Sequence, residues 1–546
     1  MAGMLFVTMQ PRPGLSLDQF HEWYNNEHGP TRLRLPQIFS TGQRYKASDS
    51  NNDDGPPFVA TYDVTDMAFL TQPIYTDLRA HRSPREAETI GQVDVKRYMF
   101  DWQSTKQLES LESVDIEKEV QMPGTVLVYV DVTIKETASQ EDAEKELARW
   151  YDEEHFGMLS KVPGWLRSRR FRTSTLDLAE GKPLRIVSLH EYRPHGQNGL
   201  GGPEHKASMD TPWRTEVFDK YVAAKGRRTW ELFYAFGPAP RDLQHLARLP
   251  QTRAFSSADG RTTTTPDNNI LESFVAAADG LEIPYRLEGN PAPDAPVLAF
   301  SNSLLTSLHM WDDLVAIIKQ KRPEYQILRY DTRGRHAIPA PPVPATMEML
   351  ADDLATLVNA LRIPKLAALV GVSLGGATTL QFALKYPKLV SKFVSCDFNI
   401  AGSPANTSAW KERIAIAEGS DTGMETLAGI TVSRWFAPVT LTEKPATTQA
   451  MTDMVAANSI EGFKYSCQAL WAFDLKDAAA NLQVPGLFVA GEADGKGALA
   501  KAIDGFRPAV GTKSGQRVEL RIVPDAGHLP MFENPDQFWE TIKHFV

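Results

Sequence analysis

The stretch "LAALVGVSLGGATTLQFALKYP", residues 366–387, leaves little freedom in local structure. A short, continuous apolar run suits a strand buried on both faces, as in a parallel sheet. It leads into Ser373, which has glycines two positions away on either side, and a helix-length segment follows. Strand, sharp turn and helix form the setting in which a G-x-S-x-G serine becomes a nucleophile, because the strained turn lifts its hydroxyl clear of the sheet. Ser373 is therefore a candidate nucleophile, weighed against a plain turn serine.

The surrounding sequence repeats the α/β alternation. "ESFVAAADGLEIPYRLEGN" reads as a hairpin turning at Asp279-Gly280, and "PVLAFSNS" and "YQILRYDTRG" read as buried strands. "TMEMLADDLATLVNALRI" places Leu350, Leu354, Leu357, Val358 and Leu361 on one helical face, with Thr346 as candidate N-cap. Downstream, "VPGLFVAGEAD" ends a strand just before Asp494, and "VELRIVPDAGHLPMFENPDQF" puts His528 in a loop between strand and helix. The chain order Ser, Asp, His is that of α/β-hydrolases.

A second pattern occupies the first 240 or so residues. Trp23, Tyr24, Glu27, His28 and Pro36 recur as Trp150, Tyr151, Glu154, His155 and Pro163, each 127 positions later. Each copy is expected to be one folding unit. Strand candidates "MLFVTMQ" and "TVLVYVDV" open the copies, and a helix carrying W-Y-x-x-E-H follows. Two further strands, a second helix and a final strand complete a βαββαβ, ferredoxin-like unit, and two such sheets are expected to pack face to face. The segment at residues 104–124 reads as a linker between copies, and the Pro/Ser/Thr-rich stretch from Ala239 to about Ile270 as the main boundary.

A chain of 546 residues exceeds the roughly 250–300 at which a single core stops growing, so several domains are expected. The formal charge of -10 and the lack of a basic stripe argue against nucleic-acid or anionic-membrane surfaces. Two cysteines are too few for a disulfide framework, and no apolar run of about 20 residues could span a bilayer. A cytoplasmic protein is expected.

The carrying motifs resemble known families. Residues 1–105 and 122–238, through W-Y-x-x-E-H and the strand order, resemble EthD-like proteins of the dimeric α+β barrel group. Residues 268–546 resemble α/β-hydrolases, in particular 3-oxoadipate enol-lactone hydrolases, through "SNSLLTSLHMWDDL", "LRYDTRG", "LVGVSLGGAT", "CQALWAFDL" and "GHLPMFENPDQF". The resemblance implies an α/β-hydrolase fold with a helical cap over about residues 400–475, following a tandem α+β barrel. It implies Ser373 as nucleophile, His528 as its base and Asp494 as the carboxylate behind the histidine, with backbone N–H groups of Leu304 and Leu374 as oxyanion hole. Asp397, after the next strand, is the alternative acid. Leu305 stands where the family carries a small residue, and Leu305, Trp410, Trp435 and Trp471 are candidate pocket residues. "DTRGRHAI" also departs from the family pattern, and His336 reads as a surface loop residue.

These readings imply a serine hydrolase of a small ester or lactone, working through an acyl-enzyme without metal or organic cofactor. A carbon-carbon hydrolase of 1,3-diketone-like substrates would use the same triad. The same residues also admit an isomerase or dehydratase barrel joined to a lactonase, or a ligand-binding receptor with a vestigial triad. In the barrel, His28 and His155 are either acid/base groups in barrel cavities or structural residues that cap a helix or bond across the barrel. Arg44 and Arg170 are candidate anion-binding partners, and the barrel is a candidate surface for homo-oligomerisation.

Overall fold

The computed structural model describes residues 1–48, 55–109, 115–250 and 252–546, which divide into two compact units, Met1–Pro238 and Ala239–Val546. No helix among the described residues is long and apolar enough to cross a membrane.

In the first unit the strands are β1 (Gly3–Pro11), β2 (Phe39–Ala47), β3 (Phe58–Val64), β4 (Val93–Gln107), β5 (Val126–Ile134), β6 (Trp165–Thr173), β7 (Arg185–Tyr192) and β8 (Val222–Phe236). They close an antiparallel barrel in the order β1-β3-β2-β8-β5-β7-β6-β4. Each half contributes its strands in βαββαβ order. The halves pack their inner faces together, as Phe6 of β1 against Tyr129 of β5 shows, and they also join edge to edge through β2–β8 and β4–β6, which the sequence reading did not expect. Both seams carry a register shift, at Arg44/Tyr45 and at Trp102/Ser104. Edge pairing satisfies the backbone groups that two separate sheets would leave open, and closure removes the edges. The segment expected to be a linker partly serves this seam, since β4 runs to Gln107 against β6, and Ile116–Val120 is helical. Residues 110–114 of that segment lie outside the described residues.

Alternation along the strands gives the barrel two apolar surfaces. Inward residues from all eight strands, Phe6, Tyr45, Phe100, Phe171 and Trp230 among them, fill the interior. Outward residues such as Leu5, Val7 and Met9 pack beneath the first helix of their half, against Phe20, Trp23 and Tyr24. Ser16 and Ser139 cap these equivalent helices by accepting from the backbone N–H of Gln19 and Asp142.

The second unit is built on a ten-stranded sheet: β9 (Phe255–Ser256), β10 (Thr263–Thr265), β11 (Ile270–Ala276), β12 (Glu282–Gly289), β13 (Val297–Ser301), β14 (Gln326–Tyr330), β15 (Ala368–Val372), β16 (Phe393–Cys396), β17 (Gly486–Gly491) and β18 (Glu519–Val523). The order is β18-β17-β16-β15-β13-β14-β12-β11-β10-β9. From β14 to β18 the pairing is parallel, and the strands beyond β14 continue antiparallel. The hairpin turns at Gly280 with φ +82°, and Thr346 caps the helix Met347–Ala360 through the N–H of Met349. Upstream of residue 268 the chain already belongs to this unit. Ala239, Leu243, Leu246 and Leu249 are buried in its core, and β9 and β10 extend its sheet. Helices Pro404–Glu418, Gly423–Trp435, Pro438–Glu443, Pro445–Ala456 and Ile460–Cys467 occupy the interval expected to be a cap.

Candidate active site

Ser373 sits between the end of β15 and the helix Leu374–Lys385, with φ 57° and ψ -115°. A non-glycine residue in that region stores strain, which surrounding structure must hold in place. Its N–H donates to the carbonyl of Cys396 at 2.9 Å. The flanking glycines are required by packing: a Cβ on Gly375 would lie 2.1 Å from the Ser301 carbonyl oxygen, and one on Gly371 would lie 2.2 Å from that of Gly375. Leu374 opens the helix, so its N–H has no intrahelical acceptor.

His528 follows β18 and points its Nδ1 at Asp494 Oδ2, 2.7 Å away, with both side chains nearly buried. Three contacts fix the histidine loop. The His528 N–H donates to the Trp435 carbonyl at 2.7 Å, and the imidazole stacks on the Trp435 ring. Glu533, also buried, accepts from the N–H of Gly527 and, through its other oxygen, from Ala437 N–H and Thr440 Oγ1. It thus ties the loop to the cap, a role that gave no signal in the sequence.

Asp397 follows β16 with φ 43° and is fully buried; its Oδ1 accepts from Gly491 N–H at 2.8 Å. One ligand atom each from Asp397, Asp494 and His528 lie within 4.8 Å of one another. These are the types of atom that could hold a cation, but the histidine nitrogen is already directed to Asp494. Burial, then the charge of Asp494, pushes the Asp397 carboxyl well above its ordinary value. For Asp494 burial works the same way, but the charge and hydrogen bond of His528 outweigh it and hold the carboxyl below its ordinary value. Two adjacent carboxyls with opposite shifts divide into a neutral acid and a carboxylate.

Ser373, Asp397, Asp494 and His528 line one cleft of about 430 Å³. Trp410 and Trp435 line it too, together with Phe473. Leu305 and Trp471 lie outside its lining. Leu305 is packed in the core with φ 68° and its carbonyl held by Asn458, whereas Trp471 is half-buried with its carbonyl accepting from Thr407. Leu304 is buried near the end of β13. Two arginines that no sequence motif marks, Arg413 and Arg434, also line the cleft, and neither makes an ion pair among the described residues. Helical spacing across two cap helices gave no hint that they converge. His336 is largely exposed and bonds Asp331 at 2.6 Å, as a surface loop residue would.

In the first unit the W-Y-x-x-E-H residues fall on π-helical turns in both copies, Tyr24–His28 and Tyr151–His155. The glutamates are engaged structurally: Glu27 with Ser83 and Arg85, Glu154 with Trp150 Nε1 and Thr211 Oγ1. The histidines do not face the barrel interior, as a site in a barrel cavity would require. They lie between the outward strand faces and the helices, because the interior is already filled by side chains from the strands. Arg44 and Arg170 do not line these spaces; Arg44 lies over the Tyr24 ring and bonds Asn25.

The second unit is similar to known proteins. A family described as alpha/beta hydrolase matches residues 304–541. 3-oxoadipate enol-lactonase 2 of Acinetobacter baylyi is 31% identical over 256 residues, 46% of this chain and 88% of that protein. 3-oxoadipate enol-lactonase 1 of the same organism is 29% identical over 266 residues, 47% of this chain and 91% of that protein. The solved enol-lactonase from Burkholderia xenovorans is 29% identical, with 50% of this chain and 98% of that chain covered and a TM-score of 0.43. The second unit is thus homologous to enol-lactonases, and through it the chain belongs to the alpha/beta hydrolase family.

Proposed function

We propose that the second unit opens a small lactone, of the enol-lactone kind, or cleaves a related ester through an acyl-enzyme on Ser373. The observation that carries this reading is the His528–Asp494 pair converging with a strained, glycine-flanked serine on one cleft. His528 takes the proton of the Ser373 hydroxyl as oxygen attacks the carbonyl carbon, and Asp494 stabilises the imidazolium that forms. The N–H groups of Leu374 and Leu304 receive the developing oxyanion. Collapse of the adduct breaks the ester bond, and His528 returns the proton to the leaving oxygen. In a lactone that oxygen stays tethered to the acyl group. Water, activated by the same histidine, then hydrolyses the acyl-enzyme and releases the acid.

Arg413 and Arg434 support a substrate that carries a carboxylate, since guanidinium groups that line a cleft and make no ion pair favour an anionic group. The βαββαβ halves and their repeated motif support an EthD-like tandem of ferredoxin-like units for the barrel. The test is a panel of lactones, enol-lactones and aryl esters with wild type and Ser373→Ala, together with fluorophosphonate labelling. Labelling and hydrolysis that both vanish in the variant are expected. Failure of the wild type to label would favour a binding protein, and release of a ketone from a 1,3-diketone would favour carbon-carbon hydrolysis.

A further inference from the structure

The two halves of the barrel are related in sequence but not in charge. In each, the π-helical turn brings a tryptophan, a tyrosine and a histidine to a small cavity beneath the helices. Turns of this kind interrupt helical hydrogen bonding and are frequent at functional sites. Both copies keep it.

In the first half the histidine beside the cavity is paired with a carboxylate. His28 Nδ1 donates to Glu86 Oε1 at 2.7 Å, and Arg32 lies 3.9 Å from the same oxygen. Arg32 and Arg97 line a space of about 20 Å³, and the Tyr24 and Tyr62 hydroxyls bond to each other beside it.

In the second half the equivalent histidine is bonded to a backbone carbonyl instead of a carboxylate. Arg214, Lys225 and Arg227 border a cavity of about 30 Å³ with His155, His190 and His205. None of the three cations makes an ion pair among the described residues, and the Nε of Arg214 is buried without a partner. The histidines do not supply a negative charge either. His155 Nδ1 faces the Ser208 carbonyl at 3.1 Å, so Nδ1 carries the proton and Nε2 keeps a lone pair. His190 Nδ1 is bonded to Ser168 Oγ at 2.8 Å. Burial, before any neighbouring charge, holds both His155 and His190 below the ordinary histidine value. Trp150 stacks on His155 at 4.4 Å and forms an apolar wall.

We propose that this second cavity is a binding site for the carboxylate of a small organic acid, which the guanidinium and ammonium groups of Arg214, Lys225 and Arg227 would hold. The space admits a group of about carboxylate size. The rest of the acid extends past Lys225 and Arg227, which are exposed at the mouth. The proposal is independent of the hydrolase reading.

The test uses the full chain with nitrogen-15-labelled histidine, following the His155 signal, assigned with His155→Gln, while propionate or inorganic phosphate is added at low salt. A saturable shift with propionate is expected, together with at least tenfold weaker binding in Lys225→Gln/Arg227→Gln. Both replaced residues are exposed, so the fold is kept, and hydrolysis by the second unit should be unchanged. Arg214→Gln gives an independent second variant with the same expected weakening. Absence of a saturable shift, or binding unaffected in both variants, overturns the proposal. Phosphate binding as tightly as propionate overturns the assignment to organic acids.

Discussion

Replacing the two cleft aspartates one at a time separates their roles. Asp494 accepts from His528 Nδ1 at 2.7 Å, and its carboxyl is held in the ionised form. Asp494→Asn keeps the shape but removes the charge that stabilises the imidazolium, and it can present an N–H to Nδ1, which favours the wrong tautomer. A loss of about 10⁴ in kcat, about 5.4 kcal/mol of transition-state stabilisation, is expected by analogy with other triads. Asp397 is different in kind, because burial and the neighbouring carboxylate hold it in the neutral form. Asp397→Asn exchanges one neutral group for another of the same size and leaves the acceptor of the Gly491 N–H in place. Less than about tenfold loss, below about 1.4 kcal/mol, is expected. The assay is kcat and kcat/KM of both variants on the best substrate from the lactone and ester panel, with folding checked by circular dichroism. Equal losses, or a larger loss for Asp397→Asn, would refute the assignment of Asp494 as the acid.

Gly375→Ala would push a Cβ to 2.1 Å from the Ser301 carbonyl, and overpacking of about 3 kcal/mol should appear as a lower urea midpoint and lost activity. A chain of residues 239–546 should be more stable to urea than one of 268–546, because Leu243, Leu246 and Leu249 are buried in the core of the second unit. Acid should loosen the barrel. His28 and His190 are both fully buried and lowered to about 3, so the stability they confer is complete above the ordinary histidine value and is lost as pH falls below it. From pH 7 to 5 that is about 2 kcal/mol for each, and Glu27, raised by burial to about 7, returns about 2 kcal/mol as it protonates. Glu27→Gln should therefore steepen the acid loss seen by peptide-resolved hydrogen exchange in the barrel strands, and an unchanged slope would refute the reasoning.

Local pattern in the sequence determined the parts of this protein that depend on neighbours along the chain. The glycines around Ser373 announced a turn that no larger residue could make, since their Cβ atoms would strike backbone only a few residues away or on the adjoining strand. Strand positions in both barrel halves were legible from alternation, and the 127-residue repeat announced two equivalent units. Tertiary structure alone decided matters that rest on residues far apart in sequence. Edge-to-edge closure depends on which strand ends are free to pair across the two seams. His528 pairs with Asp494 and not Asp397 because the end of β17 and the loop after β18 bring those side chains together. Arg413 and Arg434 reach the cleft from separate cap helices, and Glu533 ties cap to loop across about ninety residues. In the barrel, identical motifs acquired different surroundings: His28 met Glu86, and His155 met a carbonyl beside cations that make no ion pair among the described residues. A repeated motif specifies the turn that presents a histidine, but charge in the space beyond it comes from other elements, which only packing brings together.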